Sequence, residues 1–344
     1  MTKKIFRNIL YLSVLAMALN ACSKSKSPSA PAAAAPTVYT AGIYFNGGVQ
    51  NACYWTGTVR TDLMGAGSTV YANSIFVADD KVYVGGNYLN GAIETPCYWV
   101  DGARVDLPFD GLSSAYVHSI FVSDNIVCAA GSGNNSINPC YWLGMNTYDL
   151  ESDGINSAVA DAIYVSGSNV YTAGFYTAGI KSTPCYWMGT TRTALAGDGV
   201  HSASAYSVFA DKGIVYTGGT YSDGSKYIPC YWTGTDRTDL AGDGIHDAKV
   251  RAVFEVNGVV YTAGIWAPGG INMPCFWTGS VMTSLDGGVS GGAMSVFVSG
   301  GRVYTGGYYN DASYSYPCYW AGTQRITLPY IGLSSGQVNS IFVK

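Results

Sequence analysis

Pro96-Cys97-Tyr98-Trp99 is one of seven near-copies of a single stretch, and its recurrence decides the fold. The Cys-aromatic-Trp triplet begins at Cys53, Cys97, Cys140, Cys185, Cys230, Cys275 and Cys318, so successive copies stand 43 to 45 residues apart in a chain of 344. A fixed period of this length, carried by short β-branched and aromatic runs with glycine punctuation, marks an array of four-stranded units.

Each unit reads as four strands. The first is small-x-small-aliphatic-aromatic-aliphatic, as in Ala72 to Val77 and Val338 to Val343. The second is Val-Tyr-Thr-Ala-Gly or a near relative, as at Val82 to Gly86 and Val170 to Gly174, with the β-branched and aromatic content of a buried pleat. The third holds the Cys-aromatic-Trp triplet. A proline precedes it in six units and is expected at the strand's first residue, where no ladder donor is needed. The fourth, Arg60 to Leu63 or Arg237 to Leu240, is charged and suits an outer edge.

The two chain ends say how the array closes. The chain enters the repeat at Val38 in a second strand and leaves after Val343 in a first strand. The tail therefore completes the unit begun by residues 38 to 63. The expected fold is all-β, a seven-bladed β-propeller of four-stranded blades closed by the C-terminal strand. Seven tryptophans at one position form its packing column, and the seven cysteines beside them read as small buried hydrophobes. Equivalent cysteines on stacked sheets about 10 Å apart lie beyond the roughly 7 Å that a disulfide spans. Only Cys128, where other units carry tyrosine, has a cysteine of its own unit, Cys140, as a conceivable partner, and strand pairing is expected to offset the two. The succession of small-aliphatic strand, Gly, aromatic-Trp, Gly, Leu and Asp-Gly resembles the HAF-type repeats of exported bacterial proteins, loosely, over residues 38 to 343. Pro-Cys-Tyr stands where that pattern has His-Ala-Phe, so the resemblance implies an extracytoplasmic repeat protein and carries over no functional residue.

Ahead of the repeats, Lys3, Lys4 and Arg7 precede an apolar run from Ile9 to Leu19. A basic head, a short apolar core and small residues describe an export signal over residues 1–21, too short to span a membrane as a helix. Leu19-Asn20-Ala21-Cys22 resembles a bacterial lipobox, which implies cleavage before Cys22 and acylation of that cysteine. Residues 22–37 then read as a lipidated cysteine and a Ser/Pro/Ala-rich tether, and residues 38–344 as the propeller. The implied location is the cell envelope, with an outer-membrane lipid anchor as the membrane attachment. Formal net charge is −4, and removing residues 1–21 leaves 15 basic against 22 acidic residues. That balance argues against a nucleic-acid partner.

Comparing the seven copies separates positions the fold fixes from those it leaves free. The second residue of the first strand is the freest: Asn73, His118, Asp161, Tyr206, Arg251, Met294 and Asn339. First strands line a propeller's channel, so these seven are expected to ring one mouth of it, a concave place where polar groups converge. Two residues beyond the glycine of each second strand stands an aromatic: Tyr44, Tyr88, Tyr176, Tyr221, Trp266 and Tyr309. These are expected either as a second, sugar-stacking rim or as cover for their own blades. The third blade breaks the set with Gly133, in a connection two residues shorter than the other six.

Asp110-Gly111, Asp153-Gly154, Asp198-Gly199 and Asp243-Gly244 read as turns. His201 and His246 repeat one loop position and do not by themselves make a metal site. No nucleophile elbow, phosphate loop or Cys-x-x-Cys pair is present. The leading expectation is a monomeric module without cofactor or metal that binds a glycan or an envelope protein at the loop-rich mouth. The competitors are a hydrolase or lyase centred on Asp161, His118 and Arg251, and a purely structural scaffold.

Overall fold

A computed structural model of the chain describes residues 35–65, 69–330 and 335–344. The signal segment 1–21, Cys22 and the tether up to residue 34 lie outside the described residues. Among the described residues 28 strands, β1 to β28 in chain order, form seven antiparallel four-stranded sheets. Blade 1 contains β1 (Val38–Asn46), β2 (Val49–Thr56) and β3 (Val59–Leu63), and β28 (Gly336–Val343) is its innermost strand. Blades 2 to 7 take β4 to β27 four at a time. The expected closure is present: β28 pairs with β1 from Val38 opposite Val343 to Tyr44 opposite Gly336. Thr37 and Lys344 extend that pairing by exchanging two backbone hydrogen bonds of 2.7 and 3.0 Å.

The tryptophans hold neighbouring blades together. All seven are buried, and six donate the indole N–H to the carbonyl that follows the preceding blade's last leucine: Met64, Pro108, Glu151, Ala196, Ala241 or Pro329, at 2.7–3.0 Å. Each ring contributes up to about 4–6 kcal/mol through burial alone. Trp320 lacks the bond. Its counterpart carbonyl, on Asp286, accepts instead from Val289 across the short 3-10 turn Asp286–Gly288.

The prolines sit differently from expectation. Pro96 is the fourth residue of Ile93–Val100 and Pro184 the fourth of Lys181–Met188, so proline stands inside the third strand. In all six blades its carbonyl accepts from the leucine that directly follows the fourth strand, at 2.8–2.9 Å. The chain leaves the sheet at that leucine for the next blade. The side of the proline that has no N–H to give thus faces a departing strand, which is why a ladder interior tolerates it.

Two features close the inner ring. Every first strand bulges at one residue opposite the glycine of the second strand, and the bulged residues are Asn73, His118, Asp161, Tyr206, Arg251, Met294 and Asn339. Below the bulges, Phe76, Phe121, Tyr164, Phe209, Phe254, Phe297 and Phe342 form an unbroken aromatic collar with neighbouring ring centroids 4.5–5.0 Å apart. Between the two levels, the Ser74, Ser207, Ser295 and Ser340 hydroxyls accept from the backbone N–H of Ile120, Val253, Ile341 and Ile75 in the next blade, at 3.0–3.2 Å. The eight described cysteines are buried and unpaired. Cys128 does not meet Cys140 because strand register sets it opposite Leu143, with Cys140 opposite Gly131.

Candidate functional site

The seven freely varying positions are the seven bulge positions, and the bulge explains both their freedom and their setting. A bulged residue has no partner of its own across the ladder, so its side chain is released from the pairing that constrains its neighbours. The ring is not uniform. Asn73 donates its amide to the Val117 carbonyl at 2.7 Å, and Asn339 to the Ala72 carbonyl at 2.8 Å, so these two fasten adjacent blades. On blades 4, 5 and 6 the structure brings Asp161, Tyr206 and Arg251 into succession. The Arg251 guanidinium lies 5.0 Å from the centre of the Tyr206 ring, and its positive charge is felt at Asp161.

Asp161 and His118 each bury a polar atom, Oδ2 and Nε2, that has no hydrogen-bond partner among the described residues. Burial pushes the Asp161 carboxyl up to about 7, with Arg251 pulling the other way, and pushes His118 down to about 4. The linkage signs are opposite. Between about pH 4 and 7 the folded chain keeps an Asp161 proton that the unfolded chain has lost, so this group makes stability fall as pH rises. Between about pH 4 and 6.5 the unfolded chain binds a His118 proton that the folded chain refuses, so that group makes stability rise with pH. In the native protein the two effects offset. Asp161→Asn is expected to expose a stability that climbs from pH 4 to 6.5, and His118→Gln one that declines toward pH 7, each by up to about 1.4 kcal/mol per pH unit. Urea midpoints across pH 4.5–7 measure this, and two variants with the wild-type profile would contradict it.

The second set of aromatics does not form an open rim. Tyr44, Tyr88 and Tyr221 are buried, and Tyr176 and Tyr309 are half-buried. Each lies beneath an arginine of its own fourth strand, with Arg60, Arg104, Arg192, Arg237 and Arg325 placed 3.7–4.5 Å from the ring centres. In blades 1, 2 and 5 the arginine also pairs at 2.8–2.9 Å with an aspartate two residues on: Asp62, Asp106 or Asp239. Tyr88 and Tyr221 donate their hydroxyls to the last two of these carboxylates. In blade 6 Met282 takes the arginine's place opposite Trp277, and Trp266 and Met282 both pack on the buried cluster around Trp277. These residues cover blade flanks, and of the two candidate sets the bulge positions are the ones on the inner strands, above the aromatic collar.

The loops above the mouth repeat one device. Asp110, Asp153, Asp198 and Asp243 each accept two backbone N–H bonds from the residues that follow a positive-φ glycine. His201 and His246 give their Nδ1 to these aspartates in their own loops. Among the described residues no three metal-ligating side chains are grouped to hold an ion. The turn pushes the next residue outward, and it is aliphatic each time: Leu112, Ile155, Val200 and Ile245 are 86, 79, 72 and 75% exposed. Sequence reasoning missed these four. The signal was the repeated Asp-Gly-aliphatic string, which keeps an apolar residue where the backbone pattern forces it into water.

Fold and site together define a seven-bladed β-propeller with unlike side chains at seven equivalent bulges around its axis. No family model matches the chain, and no curated relative matches it. Among solved structures it is similar to the β-propeller domain of the Trilobed protease from Pyrococcus furiosus, at 10% identity over 86% of this chain and 94% of that one, with a TM-score of 0.54. That domain is described as having an open velcro topology, whereas here β28 closes the ring. The computationally designed Ika8 protein is similar at 20% identity over 88% of this chain and 90% of that one, with a TM-score of 0.48.

Proposed function

We propose that the protein is an envelope-anchored binding module that docks another protein on its loop-rich face. The anchoring rests on the lipobox-like segment ending at Cys22. The observation that carries the choice of a protein partner is the set of four aliphatic side chains held in solvent on four consecutive blades. Isolated exposed aliphatics are ordinary, but one at the same outward position of each of four successive loops fits the apolar anchors of a protein interface. The Asp161, Tyr206 and Arg251 succession at the channel mouth then supplies charge complementarity and register. A glycan is the weaker reading, because the aromatics that would stack on sugar rings lie under arginines.

The test is cross-linking and pull-down from cell-envelope extracts with the wild-type protein, Ile155→Ser/Ile245→Ser, Asp161→Ala/Arg251→Ala and Val281→Ser. Val281 is exposed at the first residue of β23 (Val281–Ser284), next to the hairpin turn at the opposite end of the blade. A partner retained by Val281→Ser and lost with the other two variants is the expected result. Glycan-array binding that survives Ile155→Ser/Ile245→Ser but not Asp161→Ala/Arg251→Ala would replace the protein by a sugar. A second reading, hydrolysis or elimination with Asp161 as acid–base group, is favoured by its carboxyl titrating near 7. It requires turnover that Asp161→Asn abolishes while leaving the fold intact.

A further inference from the structure

We propose that the third blade carries a preformed pocket for a phenolic ring bearing a cationic group, a site that adjoins the loop-face interface proposed above through the Asp110 loop and does not depend on it. Blades 1, 2 and 5 are each finished by the same three side chains: a tyrosine at the end of the second strand, an arginine over its ring, and an aspartate beside both. At the equivalent places blade 3 has Gly133, Thr147 and Asp149. It keeps the acid and lacks the ring and the cation. Where these would lie there is a cavity of about 150 Å³, lined by Cys140, Trp142, Pro108, Phe109 and two acids, Asp149 and the turn residue Asp110, whose carboxylate is already held by the backbone N–H groups of Leu112 and Ser113.

Neither conformation nor space accounts for the glycine. Gly133 does not have a positive φ, and a Cβ built on it meets nothing within 4 Å. Its effect is to leave the volume open. The connection that follows is the short one of the seven, with strand pairing ending at Gly133 opposite Asn138, and its first residue, Asn134, lines the opening. Elsewhere in the chain, as at Tyr88 and Tyr221, this slot holds a phenol whose hydroxyl meets the aspartate. The Asp149 carboxylate has no side-chain partner among the described residues, whereas Asp62, Asp106 and Asp239 each pair with an arginine. A cavity of this size holds a benzene-sized ring, and a carboxylate at its edge selects a cation over an anion.

The ligand class is therefore an aromatic amine, or a tyrosine beside a basic residue in a peptide. Tyramine and hydroxyphenylpropionate share the ring and differ in the sign of the attached charge, which makes them the probes. In thermal-shift and calorimetric titrations of the whole protein, tyramine is expected to bind saturably with a Kd of about 0.1–1 mM, and the propionate at least tenfold more weakly. Gly133→Tyr/Thr147→Arg is expected to abolish tyramine binding and raise Tm by several degrees, because the chain then fills its own pocket. Asp149→Asn, a change at an exposed side chain, is expected to fold normally and remove the difference between the probes. Equal binding of both probes to wild type, no saturation by about 10 mM tyramine, or full binding by the filled variant would each overturn the proposal.

Discussion

A chain lacking residues 336–344 is expected to lose cooperative folding. Those residues contain β28, the strand that completes blade 1, and with it the buried Val338, Ile341 and Val343. Burying three such side chains contributes about 1.5–3 kcal/mol each, a sum comparable to the whole stability of a typical domain at about 5–15 kcal/mol. Further losses follow at both seams. Phe342 drops out of the aromatic collar, the Ile75 N–H loses the Ser340 hydroxyl, and the Ser295 hydroxyl loses the Ile341 N–H. The edge of β1, now unpaired, becomes a template for pairing with other chains. Near-UV circular dichroism during urea unfolding measures the effect. A sharp transition with the full-length m-value would show that the ring does not depend on its last strand, and partial rescue by a peptide of residues 336–344 is the expected converse.

Gly174→Ala is expected to be nearly as damaging, although it adds one methyl group. A Cβ at Gly174 would stand 1.9 Å from the Val159 carbonyl oxygen, and the six equivalent glycines face the same obstruction at 1.8–2.2 Å. The Cβ position is fixed by the backbone and the oxygen is itself backbone of the same sheet, so no side-chain rotation relieves the contact. The strand must either separate or give up the bulge at Asp161, which would turn every residue beyond it to the other face. A loss of about 3–5 kcal/mol, in the range of the largest single-residue effects, is expected from the urea midpoint. Gly133→Ala is the internal comparison. It meets open space at an ordinary φ, and is expected to be neutral or to gain a few tenths of a kcal/mol. If both variants behaved alike, the clash would not be what fixes the seven glycines.

Architecture was legible in the sequence because one register of packing is repeated seven times. The Cys-aromatic-Trp triplet dates every blade, and the phase of Val38 against Val343 reveals the closure. The bulge was legible only in pieces. The free position in the first strand and the fixed glycine in the second are two sides of one irregularity, joined by a cross-strand register that a linear reading does not contain. Tyr88 shows a second limit. Its partner Arg104 lies on the fourth strand, with the third between them, so alternation along either strand says nothing of their stacking. Proline was misplaced because its tolerance depends on where a neighbouring strand ends. The exposed Leu112, Ile155, Val200 and Ile245 were missed because an apolar residue in a turn reads by default as buried.

The cysteine column has an experimental consequence. Cys53, Cys97, Cys140, Cys185, Cys230, Cys275 and Cys318 place one thiol in every blade at 0–4% exposure, and burial pushes each of them up, Cys140 to about 12. A thiol reacts as its thiolate, so while its own sheet is intact each one is inert to alkylation. Pulsed labelling followed by peptide mass spectrometry can then time the opening of each sheet separately, with the native chain as its own reporter and no residue changed.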